Sequence, residues 1–330
     1  MPLKIIQDNK PDRPKGAKES PSTRMSEAQA RLEREWLTCP EKFAPQANAL
    51  ELQRLERIWE VLQQNMQVAG LHAVDVGCGI GSLTDRLEKA GAIVTAVDIA
   101  ENALKEFKKQ FPESNADTIR TALPLSILPD NAYDLVLCAD VLAEVHPKDR
   151  RLALAELSRL MKPTSTIILS SSLDIYSDDV LESFVALTET EFTWSKWAAS
   201  YHALYIQLLN LLKAPQIYAS CRASPDVYQK EWRKRKGFSQ KWLACNSSAP
   251  LCYLWKAASR LSNLLEKALK NSPGTLHLLE KLTRLLKGER GISHIILFGK
   301  RKELIDPVVE QDKQAAAHDR PPFRKERKWE

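Results

Sequence analysis

Two segments near the start of the chain carry helical periodicity. Residues 26–36 form the first. In the second, 47–67, Leu50, Leu52, Leu55, Ile58, Trp59 and Leu62 recur at helical intervals and so share one side of a helix. Pro40 and Pro45 separate the two segments. From residue 72 the pattern changes to short, almost continuous apolar runs: HAVDV (72–76), AIVTAVD (92–98), DLVLCA (134–139) and STIILSSS (165–172). Amphipathic stretches at 81–90, 101–110, 147–161 and 177–189 alternate with them, and a weaker extended run, DTIRTA (117–122), precedes the third. Continuous apolar runs mark strands covered on both faces, and their alternation with helices predicts an α/β fold with a doubly wound parallel sheet. EFTWSKWA (191–198) and GISHIILFGKRK (291–302) read as two further strands, separated by a long helical tract rich in Leu, Lys and Trp, 201–288. The division expected is one core, 26–200 plus 290–305, interrupted by a helical insertion at 201–289 that caps it, the insertion and the N-terminal helices together forming a lid.

Composition trims this picture at its ends. Residues 1–25 and 306–330 are polar, charged and poor in large apolar side chains, so each reads as a disordered tail that cannot offset its ordering entropy by burial. The first twenty residues lack the apolar stretch of a signal peptide, and no run approaches the ~20 apolar residues of a membrane span, which makes the cytoplasm the expected address. The six cysteines form no CxxC pair and no His/Cys cluster at zinc spacing, so neither a disulfide framework nor a metal site is indicated. A net charge of +6 permits an anionic partner without requiring one.

The chemistry is concentrated in VDVGCGIG (74–81), which ends the first strand and opens a helix. Gly77, Gly79 and Gly81 let the backbone turn sharply and approach a ligand without Cβ atoms in the way. Asp98 ends the next strand, about twenty residues on, where a carboxylate can accept both hydroxyls of a ribose. Glycine loop and distant acid together predict an adenosine-containing cofactor. The spacing departs from the dinucleotide fingerprint, because the position of its third glycine is Ser82. Asp75, two residues before Gly77, suits the ammonium and sulfonium of S-adenosyl-L-methionine and repels a pyrophosphate.

At these residues the chain resembles the class I S-adenosylmethionine-dependent methyltransferases, and most closely their small-molecule branch that includes the ubiquinone O-methyltransferases. The segment 74–104 is similar to that family's first two motifs, YDLVLCADVLAEV (133–145) to its fourth-strand segment, and ALAELSRLMKP with STIIL (153–169) to its fifth helix and strand. The resemblance implies a Rossmann-like seven-stranded sheet with an antiparallel last strand, SHIILFGKRK, and methyl transfer to a small-molecule or lipid-like acceptor. It implies that Gly77, Cys78 and Gly79 line the methionine side of the cofactor, that Asp98 binds the ribose, that Ile99 and Gly81 belong to the same cofactor site, and that Asp75 and the backbone at Ala139 lie near the ammonium. It also implies that Arg54 meets the cofactor carboxylate and that backbone at Ala122 and Leu123 holds the adenine, since the acid that many relatives place there is replaced by RTALPLSILPD. Where the family often has Glu-His in the fourth-strand segment, this chain has Ala143-Glu144 with His146 just beyond, and these two are the candidate catalytic groups.

Other features weigh less. Cys78 reads as a small loop residue rather than a nucleophile, and His202 and His294 as structural. The cluster YQKEWRKRKGFSQKW (228–242) mixes bases with aromatics in a way that can bind nucleic acid, although a solvated face over packed aromatics is the preferred reading. The leucines of 205–213 and 261–270 could touch a membrane surface peripherally, with ordinary helix packing preferred. Two rivals to the enzyme reading are a nicotinamide-dependent oxidoreductase and a non-catalytic methyltransferase-like binding module.

Overall fold

The apolar runs pair into one seven-stranded sheet of order β3-β2-β1-β4-β5-β7-β6. The computed structural model describes residues 20–39, 43, 48–175, 180–233, 237–246 and 249–302. The strands are β1 (His72–Val76), β2 (Ile93–Asp98), β3 (Asp117–Arg120), β4 (Tyr133–Ala139), β5 (Met161–Ser172), β6 (Phe192–Ser200) and β7 (His294–Arg301). β1 runs parallel to β2 and β4, with Val74 opposite both Thr95 and Val136. β7 alone is antiparallel: Ile168 of β5 and Lys196 of β6 both pair with its Phe298. The strand order reverses between β1 and β4, and the carboxyl ends of both open on the same edge, the place where open α/β sheets bind ligands.

Alternation along the strands distributes two cores. Val74, Val76, Val136 and Ile167 point to one face, under α5 (Arg150–Leu160) and α6 (Val180–Thr188). Ala73, Val94, Leu135 and Ile168 point to the other, against Leu55, Ile58 and Leu62 of α2 (Ala49–Asn65) and Leu83 and Leu87 of α3 (Ser82–Lys89). Each such fully buried branched side chain contributes about 1.5–3 kcal/mol, which is why these runs had to be apolar on both sides. α4 (Glu101–Gln110) follows β2 and buries Ala103, Leu104 and Phe107.

One boundary differs from expectation. Residues 21–25, assigned to a disordered tail, form the first turns of α1 (Pro21–Thr38). Ser20 caps it, accepting the Thr23 N–H at 3.2 Å, proline occupies its first position, and Arg24 pairs with the buried Asp149. A polar cap and an ion pair with a distant residue start a helix where composition sees only polar residues. Residues 1–19 and 306–330 lie outside the described residues.

The tract between β6 and β7 is helical throughout its described part: α7 (Ala203–Ala223), α8 (Pro225–Arg233), α9 (Phe238–Asn246), α10 (Ala249–Lys270) and α11 (Pro273–Lys287). Because Ser200 and Ser172 both pair with His294, it leaves and re-enters the sheet at the ligand-binding edge. Tyr205, Leu209, Leu269 and Leu276 seat it on Ala49 and Leu50 of α2. A buried polar set fixes the joint: Glu280 takes both Arg57 guanidinium nitrogens at 2.7 and 2.8 Å and Gln53 Nε2 at 3.0 Å, while Gln53 Oε1 lies 2.7 Å from His202 Nε2. Burial drives the His202 imidazole down to about 3, so it is neutral. No helix among the described residues is long and apolar enough to cross a membrane.

Candidate functional site

At the carboxyl ends of β1, β2 and β4 lies a cavity of about 810 Å³. Its floor is the glycine loop. Gly77, Gly79 and Gly81 all have positive φ, at 77°, 54° and 79°, but their surroundings differ. A Cβ on Gly77 would collide with Val141, and one on Gly81 with the Phe107 ring of α4. On Gly79 it would stand 3.8 Å from Trp36 with nothing else near, projecting into open space. Gly81, expected among the cofactor-binding residues, is therefore a packing residue at the cap of α3 and does not line the cavity.

Two carboxylates are buried beside this loop. Asp75 projects from β1 and accepts the Thr84 hydroxyl of α3 at 2.7 Å; burial raises its pKa to about 6, with nearby Asp98 adding to the rise. Asp98 Oδ2 accepts the Gly79 N–H at 3.1 Å and its Oδ1 the Ala100 N–H at 2.8 Å. Burial pushes Asp98 upward, and those backbone donors pull it back. The other loop donors also point inward: Gly77 and Cys78 N–H both bond Val97 O, at 2.8 and 3.0 Å, and Gly81 N–H bonds Cys78 O at 2.8 Å. Burial and the two acids hold the Cys78 thiol well above its ordinary range, which excludes a thiolate nucleophile there.

Arg54 of α2 faces the same cavity. Its Nη1 bonds Glu51 at 3.0 Å, while its buried Nε has no hydrogen-bond partner. Ile99, Ala122, Leu123 and Ala139 line the cavity as well. Glu144 and His146 are at its exposed rim. Glu144 accepts Arg31 of α1 at 2.6 Å, and His146 Nδ1 accepts the Lys148 N–H at 3.2 Å, which in the neutral ring leaves the proton on Nε2.

Sequence reasoning missed two side chains here, and it expected α1 as part of a lid. Asp140, just past β4, has φ of 59°; it pairs with His294 Nε2 at 3.2 Å and with the Ser172 hydroxyl at 3.1 Å. Those contacts, with Arg54 nearby, hold its carboxyl far below the usual range despite burial. The signal was its place directly after a strand beside the sheet's reversal point. Helix α1, expected in the lid with the insertion, supplies Met25, Ala28, Leu32 and Trp36 to the cavity wall, with Trp36 stacked on Phe43 at 4.3 Å. The second missed side chain, after Asp140, is Glu33, which accepts the N–H groups of Glu101 and Asn102 at 2.6 and 3.2 Å and so ties α1 to the start of α4. The insertion, expected to cap the site, contributes none of the cavity's lining residues among those described. It sits at the predicted end of the sheet, packed on α2, while α1, the other element expected in the lid, walls the cavity.

Residues 74–169 match the family model described as "Methyltransferase domain". A ubiquinone biosynthesis O-methyltransferase of Methylococcus capsulatus is 33% identical over 115 residues, 34% of this chain and 48% of that protein. One from Bordetella avium is 32% identical over 139 residues, 41% of this chain and 55% of that protein. The chain thus spans about half the length of the curated relatives it matches. Among solved structures, the N-methyltransferase NodS of Bradyrhizobium japonicum with S-adenosyl-L-homocysteine aligns at TM-score 0.45 and 17% identity, over 52% of this chain and 89% of that one. The magnesium protoporphyrin IX methyltransferase of Synechocystis aligns at 0.44 and 19%, over the same shares.

Proposed function

We propose that this chain is a class I S-adenosylmethionine-dependent methyltransferase, as its methyltransferase-domain match and its relatives support, and that it transfers a methyl group to a largely apolar small molecule held between the glycine loop and α1. The observation that carries the reading is the pair of buried acids, Asp75 and Asp98, beside a glycine loop whose Gly77, Cys78, Gly79 and Gly81 N–H groups are all engaged inside the protein. A dinucleotide pyrophosphate needs free backbone donors and no adjacent negative charge. This loop offers the opposite, which disfavours the nicotinamide alternative.

The residues present fit S-adenosyl-L-methionine. Arg54 Nε is a buried donor without a partner, suited to a carboxylate. Asp75 supplies negative charge for an ammonium, Asp98 acceptors for ribose hydroxyls, and Gly79 the one open approach along the loop. Ala122 and Leu123 would flank an adenine. When bound, the cofactor supplies a methyl group already made electrophilic by its sulfonium.

The protein's part is then to position an acceptor and keep water away. Met25, Leu32, Val141 and Val145 give the acceptor apolar walls. The relatives' named reaction, O-methylation in ubiquinone biosynthesis, makes a hydroxyl the first acceptor atom to test. Glu144, held by Arg31, can accept a proton from such a group. His146, with its Nδ1 serving as a cap, presents Nε2–H as a donor and orients the acceptor oxygen rather than deprotonating it.

Isothermal titration with S-adenosyl-L-homocysteine and with NADH tests the cofactor assignment. Micromolar affinity for the first and none for the second is expected; the reverse sinks it. Release of S-adenosyl-L-homocysteine in the presence of catechol-type acceptors tests turnover. Tight cofactor binding without turnover across acceptor classes would favour the binding-module reading.

A further inference from the structure

The insertion exposes more apolar surface than its packing on the sheet accounts for. α10 buries Ser262, Glu266 and Leu269, with Ser262 and Glu266 bonded to Leu212 and Gln216 of α7. Tyr253, Leu254, Leu261, Leu264 and Leu265 are all exposed and fall on one continuous arc of its surface, and Leu261 is 61% exposed. Lys256, Arg260 and Lys267, spaced by four and seven, form an exposed basic stripe bordering the Tyr253 and Leu264 edge of that arc, with Lys256 Nζ 5.7 Å from the Tyr253 ring. α11 repeats the design: it buries Leu276, Glu280 and Thr283 and exposes Leu278, Leu282 and Leu285, the last at 81%, next to Lys281. The expectation that the leucines of 261–270 serve helix packing holds for Leu269 and fails for Leu261, Leu264 and Leu265.

Charge indicates what covers these stripes. Residues 203–287 contain 15 Lys and Arg against 4 Asp and Glu, a net +11 within a chain of net +6, so the remainder of the molecule is acidic. A leucine stripe flanked by bases is the arrangement of a helix lying in the headgroup–acyl boundary, leucines in the acyl region and lysine stems reaching back to phosphates. A second copy of the same surface would bring like charges together. A nucleic acid would use the basic stripe and leave the leucines in water.

We propose that the helical insertion docks this protein on an anionic lipid bilayer through the leucine stripes of α10 and α11 and the bases beside them. The proposal is independent of the methyl-transfer reading. It is tested by sedimenting the full chain with vesicles of phosphatidylcholine alone or mixed equally with phosphatidylglycerol. Cosedimentation with the anionic vesicles, released by high salt and weak without phosphatidylglycerol, is expected. Leu261→Ser with Leu265→Ser, and separately Lys256→Glu with Lys267→Glu, should each cut binding at least tenfold, since each base near an anionic surface is worth about fivefold in partitioning. Far-UV circular dichroism and the thermal midpoint should not change, because all four side chains are exposed. Absence of vesicle binding by the folded protein, or equal binding by either variant, overturns the proposal. So does a dimer that the leucine variant dissociates, or RNA capture that the leucine variant retains while vesicles are ignored.

Discussion

The carboxylate of Asp98 accepts the backbone N–H of Gly79 at 3.1 Å, so the acid that ends β2 is tied to the middle of the loop that ends β1. Its other oxygen holds the Ala100 N–H at 2.8 Å at the start of α4. Asp98 thus shapes the site as well as offering acceptors to a ribose. Asp98→Ala should weaken S-adenosyl-L-homocysteine binding ten- to a hundredfold, charge-assisted hydrogen bonds being worth roughly 1.5–3 kcal/mol each. It should also lower the thermal midpoint, because two buried N–H groups lose their acceptor. Calorimetry at a temperature where the variant stays folded separates the effects; unchanged affinity there rules out the ribose role.

Gly79 and Gly81 differ in what they face. Gly79→Val adds a side chain to the open cavity, so it should abolish cofactor binding while costing only the ~1–2 kcal/mol of a left-handed non-glycine residue. Gly81→Val drives its side chain into Phe107 of α4 and should add overpacking strain of about 1–3 kcal/mol to the same conformational cost. Urea titrations of the two variants check the order. Equal stability would mean that the loop is looser than its contacts with α4 imply.

Asp75 makes the unliganded protein pH-dependent. Its folded pKa is about 6, against roughly 3.9 for an unfolded aspartate. Between those values the folded chain holds a proton that the unfolded chain has released. Stability therefore falls as pH rises through this window and levels off above about 6, by on the order of 3 kcal/mol from this group. Asp98 is pushed in the same direction, so the contribution of Asp75 is read as wild type minus Asp75→Asn, which should be flatter and more stable at pH 7. If Asp75 faces the cofactor ammonium, affinity should rise from pH 5 to 7 in wild type and stay level in the variant. Parallel pH curves for the two proteins would remove Asp75 from the site.

The sheet was legible because its strands are covered on both faces and must be apolar throughout. HAVDV at 72–76 and the helix at 101–110 carry the same bounds in the sequence pattern and in the structure. The identity of neighbours was not legible. Periodicity marks the buried side of α1 without saying that Trp36 meets a ligand cavity there. Three glycines in one loop look alike until Val141 and Phe107 distinguish them. Asp140 and His294 meet only because β7 returns antiparallel beside β5, which brings together residues 154 positions apart. The leucines of α10 satisfy a helical pattern whether they face protein or solvent, so their exposure needed the packed structure.

Which element covers the site is decided by two contacts, one on each candidate. Glu33 joins α1 to the N-terminus of α4 by accepting two backbone N–H groups and the Asn102 amide at 2.7 Å. Glu280 joins the insertion to α2 through Arg57. Glu33→Ala removes a capping interaction worth about 0.5–2 kcal/mol, so α1 should exchange its amide hydrogens up to about thirtyfold faster and cofactor dissociation should quicken by a similar factor. Glu280→Ala leaves a mostly buried guanidinium without its carboxylate and should cost about 3–5 kcal/mol of stability. Its exchange signature should appear in α11 and α2, with cofactor dissociation at a permissive temperature less affected than by Glu33→Ala. The reverse outcome, fast dissociation from Glu280→Ala and none from Glu33→Ala, would return the role of cover to the insertion and leave α1 as a fixed wall.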